Sequence, residues 1–203
     1  MSIPFQDSET AKNLLRAFAG ESQARNRYDF AANLCQKQEL QAMAFIFQAT
    51  AKQEQAHARV FWDHLQALNG QNLPIYGAYP IEGTNRILEL LRAAQHNEHE
   101  EHGSVYPSFA AIATQEGFPE AAASFRQIAA IEQLHGERFG LLADQLESGA
   151  LFVSQIETGW MCLNCGHTQN SLEAPKQCPV CNHGQGWFIR LELAPWSPVV
   201  KQT

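Results

Sequence analysis

The 203-residue sequence predicts a mainly α protein, a four-helix bundle with one long crossover followed by a small β/turn domain rich in cysteine. Three observations point there. Four long stretches repeat their apolar residues at steps of three and four, the spacing of one helix face. Two of them carry the same phrase, Glu54-Gln-Ala-His57 and Glu132-Gln-Leu-His135. After Gly149 the texture changes to short strand-like runs that hold two CxxC pairs. The expected division is therefore residues 1–149 for the bundle and 150–203 for the cysteine domain.

The first helix is expected over residues 8–37, opened by the candidate caps Asp7, Ser8 and Thr10. Its inward seam reads Leu14, Phe18, Glu21, Arg25, Tyr28, Ala32, Cys35. The second is expected over 39–69, with the seam Phe47, Thr50, Glu54, His57, Phe61, His64, Leu68, and Asn69-Gly70 as its stop. Residues 70–83 contain Pro74, Pro80 and glycines but no helical period, so they read as a link. A third helix begins near Thr84, with the seam Ile87, Leu91, Ala94, Glu98, Glu101, Val105, Ser108, Ile112, and a kink is expected at Pro107. After the turn at Gly117 the fourth runs to about residue 148 along Ala121, Phe125, Ile128, Glu132, His135, Phe139, Leu142, Leu146. The tail from Pro195 to Thr203 reads as irregular.

Short turns make helices one and two, and three and four, antiparallel pairs. The middle link of about fourteen residues can stretch roughly 48 Å, and a thirty-residue helix is roughly 45 Å long. The link can thus run the length of the bundle and start helix three parallel to helix two, the ferritin-like arrangement. Glu21 precedes Glu54 by 33 residues and Glu98 precedes Glu132 by 34, so the chain reads as two copies of one hairpin. The echo fails at Glu101, whose counterpart is Ala24.

Composition narrows the function classes. With 45% hydrophobic and 17% charged residues the chain reads as an ordinary globular protein. A net charge of −7 argues against a nucleic-acid partner, which calls for a basic face. The opening MSIPFQDSETAKNLL has no basic stretch before an apolar run, and no run of eighteen apolar residues follows, so neither a secretory signal nor a membrane span is expected. Paired cysteines then suggest metal ligation in a reducing cytoplasm rather than disulfides.

Apolar seams are expected in a bundle, but glutamates at their centres are not. Glu21, Glu54, Glu98, Glu101 and Glu132 all fall near mid-helix, where antiparallel packing brings them to one level. On a helix, residues three apart share a face, so each ExxH aims a carboxylate and an imidazole at one point. Two such helices plus a Glu from each of two others is the ligand set of a carboxylate-bridged diiron centre. A single ExxH would read as ordinary polar surface; two with matched upstream glutamates do not. Near the seams, Arg25 either offsets negative charge or pairs at the surface, Cys35 reads as a small buried residue, and His64 reads as structural. His96, His99 and His102 read as a solvated face. The spacing Cys162-x2-Cys165-x12-Cys178-Pro-x-Cys181 suits one tetrahedral metal, and spacing alone leaves iron and zinc both open.

The run from Glu98 through Glu101, Tyr106, Pro107 and Phe109, the two ExxH phrases and the cysteine module together resemble the rubrerythrin family over nearly the whole chain. The resemblance implies a diiron peroxidase that reduces hydrogen peroxide to water, fed with single electrons by a rubredoxin-like Fe(Cys)4 site. It implies that Glu54 and Glu132 bridge the irons, that Glu21 and His57 serve one, and that Glu98 and His135 serve the other. It makes Glu101 the additional carboxylate that exchanges with His57 when the metal is oxidised, since a ferric ion gains more from an anionic oxygen than from a neutral imidazole. Tyr28 and Tyr106 match family tyrosines that hydrogen-bond to ligand carboxylates, although core packing explains them equally well. His167 departs from the family's usual Tyr, while Trp160, Trp187 and Phe188 read as the small domain's core. A homodimer and an electron donor, either rubredoxin or an NAD(P)H-dependent reductase, are also implied. The rival readings are a ferroxidase or iron-storage protein on the same bundle, and a non-enzymatic metal or electron-transfer protein.

Overall fold

The computed structural model describes residues 3–194, so the tail expected to be irregular lies outside the described residues. The four bundle helices form, with differences from expectation in the second and third. They are α1 (Glu9–Lys37), α2 (Gln41–His64), the pair α3 (Ile87–Glu100) and α4 (Tyr106–Glu116), and α5 (Pro119–Glu147). A π-helical turn, Glu101–Val105, joins α3 to α4.

The start of α1 is capped twice. Ser8 Oγ accepts from the Ala11 N–H at 3.0 Å. From the far end of α4, the Glu116 carboxylate accepts the N–H groups of Glu9 at 3.0 Å and Thr10 at 2.8 Å, placing an anion where the helix dipole favours one. Helix α2 stops at His64 rather than near 69, and a short 3₁₀ turn (Gln66–Leu68) leads into the link. At the end of α4, Gly117 takes the left-handed conformation (φ 85°) that lets its N–H return to the helix carbonyls. Residues 71–86 form neither helix nor strand, as the prolines and glycines require.

The π turn stands just before Pro107, where a kink is expected. A π turn holds one residue more than an α turn, so everything after it rotates by one position. The buried residues of α4 are Tyr106, Ala110 and Ala113, not the expected Val105, Ser108 and Ile112. The widened turn also gives room to Pro107, whose ring would otherwise meet the preceding turn and which has no N–H to give. A second seam correction falls on α1. Arg25 is exposed, and the buried line runs through Leu14, Ala17, Glu21, Ala24 and Tyr28.

The chain divides into two compact units. The first comprises residues up to 27, 50–83 and 96–136. Its core joins Leu14, Phe61, Leu65, Tyr106, Phe125 and Ile128. Tilted aromatic rings pack through it, with centroids 5.1 Å apart for Phe61–Phe125 and 5.5 Å for Phe61–Tyr106.

The second unit comprises 28–49, 84–95 and the described residues from 137 onward. Tyr28, Phe47 and Phe139 form an aromatic triad in it, with centroid distances of 5.9, 5.1 and 5.1 Å. Past Gly149 (φ 71°) come β1 (Val153–Cys162), β2 (Thr168–Glu173) and β3 (Phe188–Arg190). They form an antiparallel sheet in the order β2-β1-β3. Trp160, Phe188, Cys162 and Cys178 fill its small core, with Trp187 packed against it. Arg190 ties the strand entry together, donating to the carbonyls of Ala150 at 3.0 Å and Val153 at 2.6 Å.

Candidate metal centres

Four helices each deliver a glutamate to one buried point in the first unit. Glu21, Glu54, Glu98 and Glu132 are all at most 2% exposed. The two imidazoles face each other across them, with ring centroids 5.8 Å apart and planes inclined by 22°. The contacts have a twofold character. His57 Nδ1 lies 2.9 Å from Glu54 Oε2 and 2.9 Å from Glu132 Oε1. His135 Nδ1 lies 3.0 Å from Glu54 Oε1 and 2.8 Å from Glu132 Oε2. Glu54 and Glu132 therefore each present one oxygen to either imidazole. Glu21 stands on the His57 side at 3.9 Å, and Glu98 on the His135 side at 3.8 Å.

Two metal-sized groups of donors result, Glu21–Glu54–His57–Glu132 and Glu54–Glu98–Glu132–His135, sharing the two spanning carboxylates. Glu21 Oε2, Glu54 Oε1, both Glu132 oxygens and His135 Nδ1 are buried without a hydrogen bond of proper geometry. Buried polar atoms in native proteins are otherwise satisfied, so this donor set fits cations. Hard carboxylates with two imidazoles suit a diiron pair.

The electrostatics of the donor cluster agree. Burial, reinforced by the charges of Glu132 and Glu54, holds the Glu21 carboxyl well above its usual range. Glu98 is raised in the same way, by burial first and then by Glu54 and Glu132. Glu54 goes the other way. Burial alone would raise it, but His135 and His57 outweigh that and bring it to about 2. Burial would lower His57, yet Glu132 and Glu54 hold it up to about 10. Without cations, protons balance the crowded carboxylates.

The surroundings orient the donors. The Tyr106 hydroxyl donates to Glu21 Oε1, a contact created by the π-turn rotation. His135 Nε2 lies 3.0 Å from Gln53 Oε1, an acceptor, so the Nε2–H donates outward and Nδ1 is the atom turned to the carboxylates. Gln53 belongs to no seam, and no spacing rule would have found it. Tyr28 is placed by its packing on Phe47 and Phe139. Glu101 is not among the converging ligand atoms. It opens the π turn, partly buried, and lines a cavity of about 240 Å³ together with Tyr106. Burial, then the charges of Glu132 and Glu54, push its carboxyl up to about 8.

Among the other candidates, His64 Nε2 meets Ser124 Oγ at 2.9 Å, a structural tie. Cys35 is fully buried, and burial pushes its thiol up to about 12. His96 and His99 are exposed. His102 is not on a solvated face; it turns inward to the Ala129 carbonyl at 2.8 Å, carried there by the π turn.

In the second unit the sulfurs of Cys162, Cys165, Cys178 and Cys181 converge as a second metal-binding group. The two knuckles repeat one another. Gly166 (φ 77°) and Asn182 (φ 60°) each follow the second cysteine in the left-handed region. That conformation turns the next backbone N–H, of His167 or His183, onto the Cys165 or Cys181 sulfur. The His183 N–H is the chief cause holding the Cys181 thiol down to about 5.

The family model of rubrerythrin matches residues 12–143, and that of the rubredoxin-like domain of rubrerythrin matches residues 160–189. A rubrerythrin of Porphyromonas gingivalis is 43% identical over 188 residues, spanning 93% of this chain and 92% of its own. One of Nitratidesulfovibrio vulgaris is 39% identical over 186 residues, spanning 92% of this chain and 96% of its own. Among solved structures, nigerythrin in a partially reduced state shares the fold, with a TM-score of 0.61 at 24% identity over 91% of this chain and 90% of that one.

Proposed function

The chain belongs to the rubrerythrin family, with a diiron domain and a rubredoxin-like four-cysteine site, and from that premise we propose that it is a peroxidase reducing hydrogen peroxide to water. The observation that carries this reading is the pair of spanning carboxylates, Glu54 and Glu132, between two inward-facing imidazoles. In this reading Glu21 and His57 complete one iron site and Glu98 and His135 the other. Iron bound by these residues would supply the two electrons needed to reduce the peroxide O–O bond.

The protein's own part is positional. Tyr106 holds Glu21 in place through its hydroxyl, and Gln53 fixes the His135 tautomer. The same resemblance assigns Tyr28 a role beside a ligand carboxylate. Glu101, outside the ligand groups but at the cavity wall, would offer an anionic oxygen in place of the neutral His57 nitrogen to a bound metal of higher charge. A preorganised carboxylate shell then carries the catalysis without a protein nucleophile. The four cysteines would hold a single iron, which would supply one-electron transfer from rubredoxin or an NAD(P)H-dependent reductase. Division at residue 149/150, a homodimer and a cytoplasmic location complete the proposal. Among the described residues no helix is long and apolar enough to cross a membrane.

Anaerobic mixing of the reduced, iron-replete protein with peroxide, and separately with oxygen, tests the reading. Three irons per chain and faster oxidation by peroxide are expected. Preferential reaction with oxygen together with uptake of added ferrous ion would instead identify a ferroxidase. Glu101→Ala is expected to lower peroxide turnover while the two-iron content of the bundle persists.

A further inference from the structure

The cavity beside Glu101 is roofed by the crossover link, and the link is pinned over it at three points. Arg16 Nε donates to the Tyr76 carbonyl at 2.9 Å, and the Tyr79 hydroxyl donates to the Arg16 carbonyl at 3.0 Å. Glu82 Oε1 accepts from Arg27 Nη1 at 2.8 Å and from Asn97 Nδ2 at 2.6 Å. Both arginines also line the cavity. Resting on the peroxidase reading, we propose that this cavity is the antechamber through which the oxidant reaches the metal centre, that it admits small alkyl hydroperoxides as well as hydrogen peroxide, and that Tyr79 limits their size.

Position supports the first part. The cavity wall includes Glu101 and Tyr106, and Tyr106 bonds directly to Glu21. Volume supports the second. A single water needs roughly 10–15 Å³ in the same measure, so a space of about 240 Å³ far exceeds what hydrogen peroxide alone requires. The walls are suited to an alkyl group as well, since Ala17, Val105 and Phe109 face the cavity. The reaction keeps the same balance. The O–O bond of ROOH breaks, two electrons from the reduced metal pair and two protons are taken up, and ROH and water leave.

Tyr79 is placed to set the width. Its ring lies between two glycines: a Cβ on Gly20 would come 3.6 Å from it, and one on Gly77 would come 3.0 Å from it. Side chains at either position would compete for the space the ring occupies. Removing the ring widens the chamber, while the Tyr76–Arg16 and Glu82 pins keep the link in place. A longer side chain at Gly20, on α1, takes up chamber space beside the Tyr79 ring.

Steady-state rates with hydrogen peroxide, tert-butyl hydroperoxide and cumene hydroperoxide test this on the iron-replete protein, together with crystals soaked in tert-butanol, the product alcohol. For the wild-type protein we expect turnover of the tert-butyl compound and alcohol density in the cavity. Tyr79→Ala should raise kcat/KM for cumene hydroperoxide at least five-fold and leave that for hydrogen peroxide within two-fold. Gly20→Leu, checked for normal iron content, should lower both alkyl rates at least ten-fold and abolish the alcohol density. Alkyl rates indifferent to positions 79 and 20, with normal peroxide turnover, would overturn the antechamber and leave the peroxidase intact. Failure of wild-type peroxide turnover would sink the peroxidase reading, and the soak would still decide whether the cavity receives the alcohol.

Discussion

Replacing Tyr106 by Phe isolates one hydrogen bond of the metal centre. Tyr106 is 1% exposed, and its ring packs on Phe61, Phe109 and Phe125; Phe keeps those contacts and removes only the hydroxyl that serves Glu21. The effect on metal affinity is the difference between what that bond gives the loaded and the empty centre. Loaded, Glu21 is a carboxylate, and a hydrogen bond to a charged group contributes about 1.5–3 kcal/mol. Empty, Glu21 is held protonated by burial, and a neutral bond contributes about 0.5–1.5 kcal/mol. The difference, about 1–1.5 kcal/mol, corresponds to a loss of affinity of roughly five- to twelve-fold. Competition with a chelator of known affinity under anaerobic conditions measures it directly. Melting curves should show the loaded variant losing more stability than the chelated one. An affinity within two-fold of wild type, or a larger loss in the chelated protein, would refute the assignment of this hydroxyl to the metal site.

Chelated protein should also become less stable as pH rises from 5 to 9. The folded state keeps protons on Glu21, Glu98 and Glu101 that the unfolded chain releases near 4.5, with Glu101 at about 8. His57 acts with the same sign: its contribution is complete below 6.5 and is lost as pH climbs through about 10. Glu54, held down to about 2, adds its stabilisation already above 4.5 and does not offset the trend. Stability falls with pH where the native state binds more protons, so calorimetry should show a falling midpoint for chelated protein and a flatter one with metal; a rising midpoint refutes it. Gly186→Ala should loosen the cysteine domain, because the new Cβ would stand 1.8 Å from the Glu39 carbonyl oxygen and rigid backbone must move; a cost of about 1–3 kcal/mol is expected by denaturant titration, and no change would contradict the packing. Phe125→Ala empties the centre of the first core, where Phe125 is fully buried, and should cost about 3–5 kcal/mol. A loss under about 1 kcal/mol, well below that range, would mean that core is not built as described.

Much of the site was legible because its signals are local. Helical period places Glu54 with His57 and Glu132 with His135 on shared faces whatever surrounds them, and the cysteine spacings bring the sulfurs together by knuckle geometry alone. What lay beyond the pattern was a one-residue change of phase. Nothing about Glu101 to Val105 distinguishes a π turn from an α turn by residue type. The nearest hints were Pro107 and the spacing of 34 against 33 between the hairpins. That turn decides that Tyr106 rather than Val105 faces inward, and sends His102 to Ala129.

By itself, then, the sequence determined the bundle and the ExxH and cysteine donor patterns through short-range spacing, the crossover through the length of the link, and the family through the resemblance of these motifs taken together. Only tertiary structure decided which imidazole nitrogen faces the carboxylates, that Gln53 orients it, that Glu101 lines a cavity, and that Arg25 faces solvent. Those are contacts between segments distant in the chain, set by how helices pack, and side-chain period along one segment carries no record of its neighbour.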